Sequence, residues 1–183
     1  MKRIIFTVSN DISYDRRMQR ICSSLSRRGY EVLLLGRALP DSETLPEFEF
    51  NCRRLKCWFS KGKLFYFELN VRLFFFLHTQ DFDILSSVDL DTALPVLWVA
   101  RRKNKPCVLD AHEYFPEVPE VERRPLIKWI WQKVEAFVVP KINAVYTVSQ
   151  SIAEIYSEQF NREVGLIRNM PTKPMLQPKP MSQ

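Results

Sequence analysis

Residues 83–116 read DILSSVDLDTALPVLWVARRKNKPCVLDAHEYFP, and this stretch decides the fold. It contains two short apolar runs, at residues 84–85 and 107–109, and each run ends in a polar, acidic loop. Such runs are too short for helices and are typical of parallel strands that are buried on both faces. Residues 92–102 lie between them and carry an apolar period that ends in basic side chains, as in an amphipathic helix. The pattern therefore predicts a right-handed strand–helix–strand unit.

Polar side chains follow both predicted strands, namely Asp89, Asp91, Asp110, His112 and Glu113. In open parallel sheets, ligands bind beyond the carboxyl ends of the strands, so these residues are candidate binding residues. Asp91 also stands at a predicted helix start, where a carboxylate can cap backbone amides instead of binding substrate. A histidine in the position of His112 can donate a hydrogen bond to a hydroxylated ligand, or take a proton from it.

The rest of the chain repeats this alternation of short apolar strands and amphipathic helices. Further strands are predicted at residues 3–8, 31–35, 50–58, 144–148 and 163–168. The pattern predicts an α/β fold, with a single Rossmann-like domain over residues 1–170 and a mostly parallel sheet of about seven strands covered by helices on both faces. Residues 171–183 carry four prolines and no apolar period, which predicts a Pro-rich linker or tail.

The first helix is predicted from an apolar stripe at Met18, Ile21, Cys22 and Leu25. Either Ser13 or Asp15 is expected to cap its start. Gly29 is expected to end it, because glycine adopts the left-handed conformation that commonly follows a helix.

Two later helices are unusually apolar. Residues 61–77 have few interior polar side chains, of which Glu68 and Arg72 are spaced to pair along the helix. This helix is predicted to be buried nearly all round in the core, with docking on a membrane or a lipid-like acceptor as the alternative. It is too short and too interrupted to span a bilayer. In the second helix, over residues 125–139, the predicted inward positions are Leu126, Ile127, Ile130, Val134, Phe137 and Val138.

The charge and cysteine content narrow the range of partners. The chain of 183 residues has 27 Lys and Arg against 21 Asp and Glu, a net charge of +6, which favours anionic partners such as phosphates or an acidic membrane surface. The basic residues are scattered among acidic ones, so no nucleic acid partner is expected. The four cysteines follow no secretory leader and are predicted to be reduced, cytosolic thiols. Their spacing does not favour a zinc site, and no metal is expected.

Several enzyme classes are disfavoured by missing motifs. The first strand–helix turn has no GxGxxG, and the sequence has neither a P-loop nor a GxSxG elbow, which argues against dinucleotide enzymes, nucleotide triphosphatases and serine hydrolases. The pair His112-Glu113 does not form a zinc-protease motif, because Pro116 stands where the second histidine is required. No cofactor is therefore expected.

Five segments of the chain resemble a known family when taken in order. They are SNDISYDRRMQRICSSLSRRGYEV at 9–32, SSVDLDTALP at 86–95, VLDAHEYFPEVPEV at 108–121, YTVSQSIAE at 146–154 and GLIRNMP at 165–171. Their order and spacing are similar to those of the N-terminal domain of GT-B glycosyltransferases, particularly the family 4 retaining enzymes of bacterial polysaccharide synthesis. The resemblance covers nearly the whole chain.

The resemblance implies a Rossmann-like acceptor domain that is joined near Asn169 to a second, donor-binding domain, which this truncated domain lacks. It implies that His112 is the catalytic residue, in the cleft beside the transferred sugar, and that Asn10 and Asp11 lie near the acceptor. Many relatives have glycines in that first loop, and this chain does not. The remaining motif positions, without an assigned role, are Asp89, Asp91, Glu113 and Ser149; with Asp110 they complete the expected substrate-binding set.

The resulting hypothesis is the acceptor-binding domain of a nucleotide-sugar-dependent glycosyltransferase in polysaccharide or glycolipid synthesis, transferring a hexosyl group with retention. The expected partners are a nucleotide-sugar donor, a sugar or lipid-linked acceptor and an anionic membrane surface, with neither a cofactor nor a metal. The expected location is the cytoplasm, peripherally at the inner face of the membrane, and the isolated chain is expected to be inactive. The alternative is a non-catalytic binding or scaffold module of a membrane-associated glycan assembly.

Overall fold

The computed structural model describes residues 1–170, and the predicted tail at 171–183 lies outside the described residues. Its strands, numbered along the chain, are β1 (Arg3–Thr7), β2 (Glu31–Ala38), β3 (Asn51–Lys56), β4 (Ile84–Val88), β5 (Cys107–Ala111), β6 (Ala144–Thr147) and β7 (Gly165–Leu166). They form one seven-stranded sheet in the order β3-β2-β1-β4-β5-β6-β7. Every neighbouring pair is parallel. The predicted α/β, Rossmann-like class is confirmed.

The helices are α1 (Arg16–Arg27), α2 (Gly62–His78), α3 (Ala93–Arg102), α4 (Pro119–Glu122), α5 (Pro125–Val138) and α6 (Gln150–Phe160). Alternate residues of the central strands face two separate cores, because successive side chains of a strand point to opposite faces. Ile5 and Leu35 pack with Leu69 of α2 and Leu97 of α3. On the other face, the strand residues that include Phe6 and Leu34 pack with Met18 and Cys22 of α1.

The local signals at α1 are confirmed. The Asp15 carboxylate caps the helix by accepting a hydrogen bond of 2.9 Å from the Met18 amide. Gly29 follows the helix with φ of 87°, in the left-handed region that glycine adopts without strain.

The last predicted strand, at 163–168, is wrong in its extent, since β7 has only two residues. It pairs with Tyr146 and Thr147 at the end of β6. Beyond Thr147 the neighbouring chain turns into α6, so little strand remains with which residues further along could pair.

The expected burial of α2 on nearly all sides is also wrong. One stripe faces the core, including Phe65, Leu69, Leu73 and Leu77. The opposite side exposes Leu64, Phe67, Val71 and Phe75, with Phe67 70% and Phe75 65% accessible. The predicted pair of Arg72 and Glu68 is confirmed at 2.7 Å, and Glu68 also accepts hydrogen bonds from the amides of Trp58 and Phe59.

The predicted inward face of α5 is likewise only partly confirmed. Val138 is fully buried, but Leu126, Ile130 and Phe137 are exposed. The main contacts of α5 are with α3, α4 and adjoining turns, and its carboxyl end, at Val138, enters the core. Among the helices at residues 1–170, none is both long enough and apolar enough to cross a bilayer.

Candidate functional site

The loops that follow β1, β4, β5 and β6 leave the sheet at one border, which we call the carboxyl edge. Adjacent register pairs place Thr7 beside Ser87, Val88 beside Asp110, and Ala111 beside Thr147. The chain passes from β1 to β2 on one side, while β4 lies on the other, which makes this a topological switch point. Ligands of open parallel sheets bind in the crevice at such points.

Asp89 joins two of these loops. Its Oδ1 atom accepts hydrogen bonds from the amides of His112, at 3.0 Å, and Glu113, at 3.3 Å. Its own amide donates to the Asp110 carbonyl oxygen at 2.8 Å. The loop after β4 therefore fixes the loop after β5, and the structure brings Asp89, His112 and Glu113 together.

The backbone of Asp89 is strained, with φ of 59° and ψ of 177°. This conformation is essentially restricted to glycine, and holding another residue there costs on the order of 1–3 kcal/mol. Burial, together with the neighbouring carboxylate of Asp91, raises the pKa of Asp89 well above its usual value, although the amide hydrogen bond from Glu113 acts in the opposite direction. The environment of Asp89 therefore favours its protonated form more than water does.

His112 is half-buried, and its backbone amide is shared between the Asp110 carbonyl oxygen, at 3.0 Å, and the Asp89 carboxylate. Within residues 1–170, its imidazole has no hydrogen-bond partner. A fixed backbone with both ring nitrogens unengaged allows the imidazole to donate to, or accept from, a bound hydroxyl.

Asp91 lies beside the switch point and is buried, with 7% exposure. Ser9, which follows β1, donates a hydrogen bond from its Oγ to Asp91 Oδ2, whereas Asp91 Oδ1 has no partner among the described residues. Burial raises the pKa of Asp91 to about 6, against the opposing effect of the Ser9 hydrogen bond. Ser9 was not among the predicted site residues, although its position directly after the first strand was the available signal.

Asp110 is fully buried, and both of its carboxylate oxygens are engaged within the protein. Oδ1 accepts from Arg17 Nη2 at 2.7 Å, and Oδ2 accepts from the Tyr146 hydroxyl at 2.8 Å. Burial works against the charge of Arg17, but the hydrogen bond and charge of Asp110 outweigh it, so the pKa of Arg17 is raised. The predicted substrate contact of Asp110 stays a prediction, and its observed contacts hold α1 against β5 and β6.

Sequence reasoning missed Arg17 and Tyr146 as the partners of Asp110. The signal for Arg17 was its place one residue before Met18 and four before Ile21, at the border of the apolar stripe of α1. Tyr146 gave no comparable signal, because its hydroxyl reaches Asp110 only through the pairing of β5 with β6.

Asp11 and Asn10 differ in their surroundings. Asp11 is buried and forms an ion pair of 2.9 Å with Arg54 of β3, and it also accepts from the Ser13 amide and the Ser42 hydroxyl. Burial alone raises the pKa of this carboxyl, but these hydrogen bonds and Arg54 outweigh it and lower the pKa. These contacts draw the side chain of Asp11 towards β3. Asn10 is exposed.

Gly36 of β2 allows the loop after β1 to lie close to the sheet. A Cβ atom at this position would lie 2.7 Å from Ile12 Cγ1 and 2.9 Å from the Asn10 carbonyl oxygen. The same carbonyl accepts a hydrogen bond of 3.1 Å from the Arg37 amide. The loop that carries Asn10 is therefore held by β2 as well as by β1.

Ser149 lies at the start of α6, at the same edge of the sheet. Its Oγ accepts a hydrogen bond of 3.3 Å from the Ile152 amide and lies 3.2 Å from Ser151 Oγ. Its observed role is to cap α6. Across residues 1–170, no three His, Cys, Asp or Glu side chains are grouped to hold a metal ion.

The fold is similar to that of several solved Rossmann-like α/β structures. One solved structure, sucrose-phosphate synthase from Thermosynechococcus elongatus, is 12% identical with a TM-score of 0.63, over 92% of this chain and 48% of that one. HepE of Anabaena in complex with UDP and glucose is 13% identical, with a TM-score of 0.60 over 92% and 45%. MurG of Acinetobacter baumannii is 9% identical, with a TM-score of 0.55 over 94% and 47%. At these identities the likeness concerns the fold alone.

The sequence model described as Glycosyltransferase Family 4 matches residues 15–170. The chain belongs to this family, and the predicted resemblance to family 4 glycosyltransferases is confirmed. The predicted retaining mode and role in polysaccharide synthesis stay predictions. The matched range contains Asp89, Asp91, Asp110, His112 and Glu113, whereas Asn10 and Asp11 precede it. The chain spans about half the length of the solved structures that it resembles. No curated protein sequence gave a significant match.

Proposed function

We propose that this domain is the acceptor-binding half of a nucleotide-sugar-dependent glycosyltransferase that acts in polysaccharide or glycolipid synthesis and transfers a hexosyl group with retention. Family membership supports the glycosyl-transfer chemistry. The complex of HepE with UDP and glucose supports a nucleotide-sugar donor, because that protein shares the fold. The donor diphosphate is assigned to a second domain, and the domain described here does not transfer sugar alone.

The single observation that carries this proposal is the clamp between Asp89 and His112. A strained carboxylate fixes the backbone of a histidine whose imidazole has no partner within residues 1–170. In the proposed reaction the His112 imidazole contacts the transferred sugar, and Asp89 is a positioning residue. Catalysis of this kind acts through orientation and through preorganised hydrogen bonds, and it requires neither a metal nor a cofactor.

The remaining residues of the carboxyl edge are assigned to the acceptor. Asp91, backed by Ser9, presents an unengaged carboxylate oxygen that accepts a hydrogen bond from an acceptor hydroxyl. Glu113 and Asn10 are exposed on either side of it, on the loops after β5 and β1. Ser149, on the loop after β6, completes this border.

The test uses the two histidines of the chain, His78 and His112, in the natural full-length enzyme. His112→Ala is expected to lower kcat about 100-fold, as removal of one preorganised hydrogen-bond group does in other enzymes. His78→Ala is the matched control, because His78 lies at the far end of α2, stacked on Phe74. Unchanged transfer by a folded His112→Ala enzyme would refute the assigned role.

A second candidate function is favoured by the exposed apolar side of α2, namely a module that attaches peripherally to an anionic membrane at the inner, cytoplasmic face. Vesicles containing phosphatidylglycerol should co-float with the wild-type protein, and the doubly substituted Phe67→Asp/Phe75→Asp protein should remain unbound. Ile155→Asp, which changes an exposed apolar residue of α6, serves as the control. Equal flotation of all three proteins would remove this candidate.

A further inference from the structure

An apolar groove of about 580 Å³ lies between α2, α3 and α5. The side chains of these helices that line it include Tyr66, Phe74, Leu94, Trp98, Ile127 and Trp131. The rings of Tyr66 and Trp131 meet edge to face at 5.8 Å, which joins α2 to α5 at the groove. An open apolar groove of this size on an isolated domain indicates a binding surface.

The groove has a polar end and an apolar end. The chain runs from α2 directly into β4, and from α5 into β6, while α3 directly follows β4. All three helices therefore begin at the carboxyl edge of the sheet, and their first residues place Lys63, Asp91 and Arg124 at the polar end. Trp98 and Phe75 line it further along α3 and α2. From Lys63 to Phe75 the helix advances about 18 Å, at roughly 1.5 Å per residue.

The charges at the polar end favour an anionic group. Lys63 and Arg124 are exposed, and within residues 1–170 neither forms an ion pair, so both cations are available to a ligand. Helix amino termini add partial positive charge at the same end. Phosphate groups carry the charge and the acceptor oxygens that such a combination binds.

The polar end is continuous with the candidate active site through Asp91. This side chain is more than nine-tenths buried, lines the groove, and has one oxygen without a partner among the described residues. Asn70 of α2 fixes the adjoining turn by donating a hydrogen bond of 2.8 Å to the Asp91 carbonyl oxygen. One end of a ligand in the groove therefore lies beside Asp91, whose carboxylate is assigned to an acceptor hydroxyl.

We infer that this groove binds the acceptor as a lipid-linked sugar: its hydrocarbon chain lies along α2, α3 and α5, its phosphate lies between Lys63 and Arg124, and its sugar hydroxyl reaches Asp91. The inference rests on the proposed transferase function and specifies the acceptor class. It differs from membrane attachment, because the chain of a single molecule enters the groove between the helices.

Binding is tested with dodecyl phosphate, kept below its critical micelle concentration, and the full-length protein. The expected result is saturable one-to-one binding, with a change in tryptophan fluorescence because Trp98 and Trp131 line the groove. Val134→Trp, which fills the groove from α5, should weaken binding at least tenfold. Leu126→Ser is the matched control, since Leu126 is an exposed residue of α5 outside the groove lining, and its affinity should be unchanged.

A second variant keeps the test valid if Val134→Trp fails to fold. The surface substitutions Lys63→Ala/Arg124→Ala should weaken dodecyl phosphate at least tenfold and leave the uncharged dodecyl maltoside nearly unaffected. Non-saturable binding, or equal affinity in the filled, charge-deleted and control proteins, would overturn the inference. A dimer that dissociates on Val134→Trp substitution would also overturn it, by assigning the groove to a second copy of the chain.

The transferase proposal is separated from this inference by His112→Ala, which should lose activity while retaining dodecyl phosphate binding. If dodecyl phosphate does not bind in the groove but transfer still depends on His112, the inference fails and the transferase proposal stands, with a water-soluble acceptor.

Discussion

Asp89 accepts a hydrogen bond of 3.0 Å from the backbone amide of His112, and it does so from a backbone conformation that is rarely adopted by any residue except glycine. The strained backbone and the two amide hydrogen bonds from the loop after β5 therefore occur at the same residue. We expect these hydrogen bonds to stabilise the loop that carries His112, while the strained backbone of Asp89 lowers the stability of the fold, as strained residues at functional sites do.

The strain at Asp89 is measurable by comparing two variants that both lack the carboxylate. Asp89→Gly should have a higher free energy of unfolding than Asp89→Ala by about 1–3 kcal/mol, because only glycine tolerates φ of 59° with ψ of 177° without strain. Urea denaturation checks this. Equal stability, or a more stable alanine variant, would show that the backbone carries no strain.

The buried ion pair of Arg17 and Asp110 gives a large expected effect. Arg17→Ala leaves Asp110 buried without its cation and should lower the free energy of unfolding by about 3–5 kcal/mol. Arg16→Ala, at the exposed neighbouring position, should change it by less than about 0.5 kcal/mol. Chemical denaturation of both proteins provides the comparison, and similar losses in the two would refute the structural role of the pair.

Asp91 should make stability depend on pH. Its pKa is about 6 in the folded protein, against an ordinary value of 3.8, so the folded state binds more protons between these values and stability falls as pH rises through this window. Asp91→Asn removes this titration. The free energy of unfolding of Asp91→Asn minus that of wild type should therefore be about 3 kcal/mol larger at pH 8 than at pH 3.

The measurement is the difference in free energy of unfolding between wild type and Asp91→Asn across that pH range. Asp41→Asn is the matched control, because Asp41 is an exposed aspartate outside the site. A pH-independent difference for Asp91→Asn would contradict the burial of an unsatisfied carboxylate.

The loop after β1 packs directly against the backbone of Gly36, where a side chain would not fit. Gly36→Ala places a methyl group against Ile12 and the Asn10 carbonyl, and should lower the free energy of unfolding by about 1–3 kcal/mol. Gly165→Ala is a milder comparison, since its nearest contact is 3.3 Å from the Tyr146 Cβ. If Asn10 contacts the acceptor as proposed, Gly36→Ala should also raise the KM for acceptor more than that for donor, and an unchanged acceptor KM would remove Asn10 from the site.

Much of the candidate site was predictable because it depends on chain order. In a parallel sheet, the residues that follow each strand collect at one edge whatever the details of packing, so Asp89, Asp91, His112 and Glu113 could be grouped from their positions alone. Partners from distant parts of the chain were not predictable. Arg54 reaches Asp11 from β3, and no local pattern marks that contact.

The amino-acid sequence by itself determined the alternation of strands and helices, the parallel sheet and the chemical character of its carboxyl edge, because periodicity and chain order are local properties. The tertiary structure decided which apolar helix faces are covered. The apolar residues of α2 and α5 suit either a core or an open surface, and the tertiary packing leaves Phe67 and Leu126 exposed. It also decided which carboxylates are engaged internally, since the partners of Asp110 and Asp11 come from elements far away in the chain.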